Sequence, residues 1–322
     1  MKSISALAAL SAMALAGTTH ASSASYPVNP VKVVVGFSAG GPTDVVARAF
    51  ANFASQKAGQ SFIVENKPGA NSTIAAQYVS QEKPDGYTVL LAATNLTTTP
   101  ALYGNRIRFN VEKSFAPICA FAKSPTVLVV GPSLPVKSLQ DVIARAKKSP
   151  GKYSVASPGV GSSGHFAMAK FEEITGTKFN HIPYNGAAPA ITALMGGQVD
   201  MSFATLGSVL SQLKSGKLKV VAVASSARLK SLPNVPTFAE DGIKNYSEDA
   251  WYGLLAPAGA PKAALSALEE YARGFQADAQ MRQKLDALGL QPDATCGASF
   301  AAEIKQEVAS YGKLAKKLGI QN

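Results

Sequence analysis

From residue 31 onward, short runs of β-branched and apolar residues alternate with longer stretches of helical period, and turn residues mark each change. Residues 31–35 (VKVVV) read as a buried strand and 43–56 as the helix after it. Residues 61–65 and 87–93 are further strands, the second entered through Pro84-Asp85-Gly86. After Ser124-Pro125 a new series starts with a strand at 126–130, and strands follow at 152–156, 178–182, 199–203 and 219–224. Ser138 and Asp141 have the spacing of a helix-capping pair. The last apolar strand, 251–256, precedes helices near 261–275, 278–288 and 300–318. This alternation predicts an α/β fold built on parallel sheets, each flanked by helices.

The C-terminal helices hold too little strand to form a domain alone, so they are expected to return and cover the first sheet. That assigns 26–123 plus 250–322 to a discontinuous first lobe and 124–249 to an inserted second lobe. The chain then crosses between lobes near 121–124 and again near 245–250, and two crossings make a hinge. Ligands of such sheets sit outside the carboxyl ends of the strands, so the cleft between the lobes is the expected site.

Ahead of this region, Lys2 and the apolar stretch from Ile4 to Ala16 lead into small residues, with acceptable cleavage points after Ala21 or Ala24. Residues 1–24 read as a secretory signal peptide, because the run falls short of the ~20 mainly apolar residues of a membrane span. No cysteine follows the apolar run, so lipid anchorage is not expected and the periplasm is the expected compartment. The formal charge of +11 favours anionic partners. Nucleic acid would be the first candidate, but export and the absence of clustered basic residues with interleaved aromatics argue against it. A small organic anion, held by a monomer without a cofactor, fits better. An oxidising compartment permits Cys119 and Cys296 to pair as a structural staple. Without the leader, the histidines are His165 and His181, and spacing alone assembles no metal-ligand cluster.

Two glycine-rich loops carry the candidate chemistry. Gly36-Phe37-Ser38-Ala39-Gly40-Gly41-Pro42-Thr43-Asp44 follows the first strand and opens a helix. It misses a phosphate-binding loop because Pro42 stands where the lysine belongs. What remains is backbone N–H brought close by glycine, and a helix N-terminus whose dipole favours an anion such as a carboxylate. The plainer alternative is a tight turn with Asp44 stabilising the helix start. Ser157-Pro158-Gly159-Val160-Gly161-Ser162-Ser163-Gly164-His165 also joins a strand to a helix. Its GxGxxG lacks the acidic residue ~20 positions on that a dinucleotide site needs, and His165 stands where a nucleophile elbow needs glycine. Ser162, Ser163 and His165 are candidate donors to a carboxylate, or else caps of the helix.

Together the two loops predict a pair of helix N-termini facing each other across the cleft, able to hold the two ends of a diacid without a charged side chain. Tyr184 and Asn185 follow another second-lobe strand and are candidates for the cleft wall, against a plain turn role. Thr94-Asn95 and Thr205 also follow strands and can reach the cleft. Asp200 alternates with Val199, Met201 and Phe203 and is expected to be structural.

With these residues assembled, the chain resembles the Bug-type extracytoplasmic receptors of tripartite tricarboxylate transporters from about Tyr26 to the C-terminus. The matching segments are VKVVVGFSAGGPTDVVAR, VENKPGANSTIAAQYV, PDGYTVL, PGVGSSGHF, HIPYNGAAPAITALMGGQVDMSF, LPNVPTFAEDG and WYGLLAPAGAP, in family order and spacing. The resemblance implies a two-lobed, type II-like periplasmic binding protein that passes a small carboxylate to membrane transporter subunits. The ligand would be a di- or tricarboxylate, an acidic amino acid, nicotinate or an aromatic acid such as a phthalate isomer. It would be held by the loops 37–44 and 157–165, with Thr205 and the neighbourhood of Trp251 completing the wall. Two other functions compete: presentation of ligand to a membrane sensor, and hydrolysis by Ser163 with His165. The hydrolase needs a base oriented by a third group and an oxyanion hole, and residues two apart at a helix start do not face one another.

Overall fold

The computed structural model describes residues 26–244, 246 and 248–320. The predicted signal peptide therefore lies outside the described residues, as do Asn245 and Ser247 in the second expected crossing. In chain order the elements are β1 (Val31–Val35), α1 (Pro42–Ala58), β2 (Phe62–Asn66), α2 (Thr73–Gln81), β3 (Thr88–Ala93), α3 (Asn95–Tyr103) and β4 (Phe115–Val130). There follow α4 (Leu139–Lys148), β5 (Ser154–Ser157), α5 (Ser163–Thr175), β6 (Asn180–Pro183), α6 (Ala187–Met195), β7 (Met201–Thr205), α7 (Leu206–Leu213) and β8 (Lys219–Val223). The chain ends with β9 (Asp249–Pro257), α8 (Lys262–Ala277), α9 (Ala279–Ala287), β10 (Gln291–Pro292) and α10 (Gly297–Leu318).

Two sheets share one strand. In the first, parallel β2, β1 and β3 are followed by antiparallel β9, then β4, with β10 on its far side. In the second, parallel β6, β5 and β7 continue to antiparallel β4 and then β8. β4 pairs with β9 from Phe115 to Pro125 and with β7 from Thr126 to Val130, so its 16 residues run through both lobes. The sequence pattern places a strand only at 126–130, because Pro117 and Pro125 break the apolar run. The prolines are tolerated since proline sits at bulges and strand ends where no ladder donor is needed. The register shifts just after Pro117, and Pro125 is the last residue paired with β9.

The cores explain why the chain returns. Phe50 of α1, Phe121 of β4 and Phe275 of α8 meet with ring centroids 4.7–5.9 Å apart, all fully buried. The C-terminal helices thus supply apolar surface that the first sheet cannot provide for itself, α8 on one face and α10, through Phe300 against Trp251, on the other. The second sheet closes around Phe171, Phe203 and Phe238. Cys119 and Cys296 form a disulfide across β4 and the segment entering α10. Asp200 accepts from Ser154 N and Oγ at 2.8 Å and from Ser133 Oγ at 3.0 Å, a structural knot beside β7.

α3 has the weakest sequence signal of the helices that matter for function. Three consecutive threonines and Pro100 lie within it, all poor helix formers. Two of the threonines fold back onto the turn before them: the hydroxyls of Thr97 and Thr99 donate to the carbonyls of Thr94 and Asn95. Burial of all three then holds the helix in place.

Candidate functional site

The parallel strands of both sheets point their carboxyl ends at a common cleft, where α/β sheets place their ligands. A cavity of ≈ 40 Å³ lies there, room for the centres of only a few water-sized groups. Five helices begin on its wall: α1 at Gly41, Pro42 and Thr43, α3 at Thr94 and Asn95, α5 at Ser162 and Ser163, α6 at Ala187, and α7 at Thr205. Among the described residues, no charged side chain lines it. At four of these starts (α1, α3, α6 and α7) no N-cap side chain closes the helix, although Gly207 N in the first turn of α7 donates to Ser124 Oγ at 3.0 Å. At the fifth, Ser162 Oγ accepts from His165 N at 3.3 Å and keeps its hydroxyl hydrogen to offer. Unsatisfied N–H groups and aligned dipoles make each start attractive to an anion.

Of the residues singled out from sequence, Phe37, Gly41, Thr94, Asn95, Ser162, Ser163 and Thr205 line this cavity. Ser38, Ala39, Gly40, Asp44, Ser157, Gly161, His165, Tyr184 and Asn185 do not line it. Asp44 is buried and turned toward its own loop, accepting from Gly40 N at 3.0 Å, Arg48 Nε at 2.9 Å and Asn66 Nδ2 at 2.9 Å. Burial pushes its carboxyl up, but the Arg48, Gly40 and Asn66 hydrogen bonds outweigh that and hold it below the usual carboxylate range. It therefore stays charged and pins the loop. Ala39 is exposed at the loop tip.

Ser38 N and Oγ both donate to the Asn185 carbonyl, at 3.2 and 2.8 Å, joining the first loop to the turn before α6. Gly186 makes this approach possible: its φ is +128°, and a Cβ there would lie 3.3 Å from Ser38 N. Tyr184 packs with the second sheet's core. On the other side of the cleft, Thr98 Oγ1 donates to the Gly161 carbonyl at 2.7 Å, and a Cβ on Gly161 would fall 1.7 Å from Leu102 Cδ1. The lobes thus touch on both sides of the cavity.

His165 does not face the cavity. Gly161 N donates to its Nδ1 at 3.0 Å, which places the ring proton on Nε2, and its ring stacks on His181 at 4.1 Å and 7°. His181 Nε2 in turn lies 2.6 Å from Ser157 Oγ, and Ser157 Oγ accepts from Gly159 N at 3.2 Å. The pair braces the second glycine loop from behind, and the base that a Ser163 nucleophile would need is committed to the backbone. Burial lowers the pKa of His165 to about 3, with repulsion from His181 adding to it, and burial alone lowers that of His181 to about 4. Both rings are neutral when folded and take up protons more readily when unfolded. Stability is then complete above pH ~6.5 and falls as pH drops toward ~4. Urea unfolding at pH 7 and pH 4.5 should differ by about 5 kcal/mol, roughly half from each ring, and His165→Gln with His181→Gln should remove most of that difference.

Tyr252, Ala250, Ala187, Ala93, Pro158 and Thr43 complete the wall. Sequence reasoning placed the neighbourhood of Trp251 there, and strand alternation gives the wall to its two neighbours and not to Trp251 itself. Ala250 and Tyr252 face the cleft, while Trp251 faces α10, where its Nε1 donates to Glu307 Oε2 at 2.6 Å. Tyr252 Oη donates to Thr205 Oγ1 at 3.4 Å across the two lobes, and burial pushes its pKa up to about 12. Because β9 is apolar on both faces, its sequence carried no alternation that could separate the two aromatics.

A larger depression of ≈ 620 Å³ lies between residues 225–231 and 286–291. It includes Asp249 and Asp286 together with Lys230 and Arg228, the latter paired with Glu240 at 3.0 Å, so its wall carries charges of both signs, unlike that of the cleft. Among the described residues no group of three His, Cys, Asp or Glu is placed to hold a metal, and no helix is long and apolar enough to cross a membrane.

Known proteins share both the sequence and this architecture. Residues 46–320 match the tripartite tricarboxylate transporter family receptor. A UPF0065 protein of Bordetella pertussis is 33% identical over 325 residues, covering 100% of this chain and 99% of that protein. The solved structure of the periplasmic binding protein BugD superposes with a TM-score of 0.88 at 34% identity, covering 92% of this chain and 100% of BugD. Rpa4515 of R. palustris, solved with adipate, gives 0.89 at 30% identity, again over 92% of this chain and 100% of its own. With the family model matched over residues 46–320 and relatives superposing over 92% of its length, the chain belongs to the receptors of the tripartite tricarboxylate transporter family.

Proposed function

We propose that this receptor captures a small organic carboxylate in the periplasm and passes it to the membrane subunits of a transporter, acting by binding and not by catalysis. The single observation that carries this reading is the convergence of five helix N-termini on a cavity without a charged wall residue. A carboxylate is the ligand such a cavity favours, because each oxygen can accept several N–H and O–H donors, at about 1.5–3 kcal/mol for each charged hydrogen bond. Phosphate esters are less suited, since the first loop has Pro42 in place of a lysine. The adipate bound to the R. palustris relative is a dicarboxylate, in keeping with this choice. The small cavity suits a compact di- or tricarboxylate, and an aromatic acid such as a phthalate isomer calls for a wider separation of the lobes.

In this reading the mature chain works as a monomer. One lobe, 26–123 with 250–322, moves against the other, 124–249, about β4 and the segment 245–250. The Ser38–Asn185 and Thr98–Gly161 contacts are clasps made on closure. Thr43, Ser163 and Thr205 hold the acid, with Phe37 and Tyr252 covering its apolar carbons. A thermal-shift screen over aliphatic and aromatic mono-, di- and tricarboxylates tests the reading, since a ligand that binds only the native state raises Tm. At least one acid should raise Tm by several degrees, and small-angle scattering at saturation should show contraction. A screen in which no acid shifts Tm overturns the proposal.

A further inference from the structure

The two sheets differ at the ends that lie away from the cleft, where their parallel strands begin. In the first sheet the segments 59–61, 82–87 and 104–114, which enter β2, β3 and β4, carry Lys83, Arg106, Arg108 and Lys113 against Glu82, Asp85 and Glu112. That end is close to balanced. In the second sheet the segments 149–153, 176–179, 196–200 and 214–218 enter β5 to β8, and 131–138 leaves β4. They carry Lys137, Lys152, Lys178, Lys214 and Lys217 against Asp200 alone, whose carboxylate already accepts from Ser133 and Ser154.

α4 adds to this excess. It joins the end of β4 to the start of β5, and both lie at this end because β4 is antiparallel to β7 and β5 parallel to it. It buries Leu139, Val142 and Ala146 and leaves Arg145, Lys147 and Lys148 exposed. Lys219 Nζ donates to the Lys137 carbonyl at 2.8 Å and Gly151 N to the Lys178 carbonyl at 2.9 Å, which joins the segments into one surface. All nine basic side chains are exposed. Among the described residues only Lys178 of the nine makes an ion pair, with Glu172 at 3.8 Å. The α4 carboxylate, Asp141, accepts from Lys137 N.

A spread of solvated ammonium groups without a pocket attracts an extended anionic surface, each lysine adding to the attraction. A protein partner fits less well, because protein interfaces are depleted in lysine and enriched in aromatic residues. Of the large apolar side chains exposed among the described residues, Ile174 alone lies near, in the last turn of α5, while Val28, Ile63 and Ile74 belong to the first lobe. We infer that this end of the second lobe docks on an anionic phospholipid surface, which holds the protein at a membrane and leaves the cleft uncovered. The inference does not depend on which acid the cleft takes.

Co-sedimentation with phosphatidylcholine vesicles, pure or mixed in equal parts with phosphatidylglycerol, tests this. At low salt the protein should bind the anionic vesicles at least about 10-fold more tightly than the neutral ones, and molar salt should abolish the difference. Lys147→Glu, Lys148→Glu and Lys152→Glu together should weaken that binding about 10-fold or more. The same change of charge on the first lobe, Lys83→Glu with Lys113→Glu and Lys262→Glu, should cost less than about threefold. Because glutamate opposes the dipole at the end of α4, the Lys147→Gln, Lys148→Gln and Lys152→Gln protein serves as a second variant, with a smaller loss in the same direction. Equal binding to both kinds of vesicle overturns the inference, as do equal losses from the two glutamate triples. Retention on immobilised poly-glutamate by a protein that binds neither vesicle also overturns it and gives the surface to an acidic protein instead.

Discussion

Ser163→Asp should lower affinity for the cognate acid at least 100-fold while leaving the folded protein as stable as before or more so. Ser163 opens α5 on the cavity wall and is 8% exposed. A carboxylate fixed there takes the N–H groups that the ligand would use. It also repels the ligand: two like charges ~4 Å apart at an effective dielectric constant near 20 cost about 4 kcal/mol, which is roughly three decades in Kd. The same carboxylate complements the helix dipole, which contributes about 0.3–1 kcal/mol to stability. Ser163→Asn, neutral and of similar size, should lose no more than about tenfold. Calorimetry and thermal unfolding of the two variants separate the effects, and a Ser163→Asp protein that binds normally would remove α5 from the site.

The second large effect falls on stability. Replacing both Cys119 and Cys296 with alanine should cost about 3–5 kcal/mol of unfolding free energy, because the bond closes a loop spanning 177 residues and longer loops gain more from closure. The bond fastens the entry to α10 onto β4 within the first lobe, away from the cavity wall. Ligand affinity should therefore stay within about threefold of wild type. Urea unfolding with and without reductant measures the cost, and a loss under about 1 kcal/mol would show that packing of α8 and α10 alone holds the C-terminal segment.

Much of this architecture was legible in the chain because local signals agreed with global ones. The strand-glycine-helix units at 31–44 and 154–165 stand out by period and by turn residue, and the helix starts they encode are two of the five that meet at the cavity. Three things were hidden. The prolines of β4 masked the strand that joins the lobes, since their tolerance depends on register shifts visible only once pairing is known. The doubly buried β9 gave no alternation to rank Tyr252 above Trp251. His165 and Asp44 had the right chemistry at the right loop, and only the geometry reveals that each turns back to brace its own backbone. Sequence spacing brings a side chain near a site without fixing which way it points.

Backbone amides from several helix starts are expected to bind one anion together, and amide-resolved NMR reads that directly. Titration with the tightest acid found in the screen should move the amide protons of Thr43, Asn95, Ser163, Ala187 and Leu206 together, at a single saturating concentration, with the largest shifts at the two glycine-loop helices. Shifts clustered instead around Arg228 and Lys230, with these five amides unmoved, would contradict it.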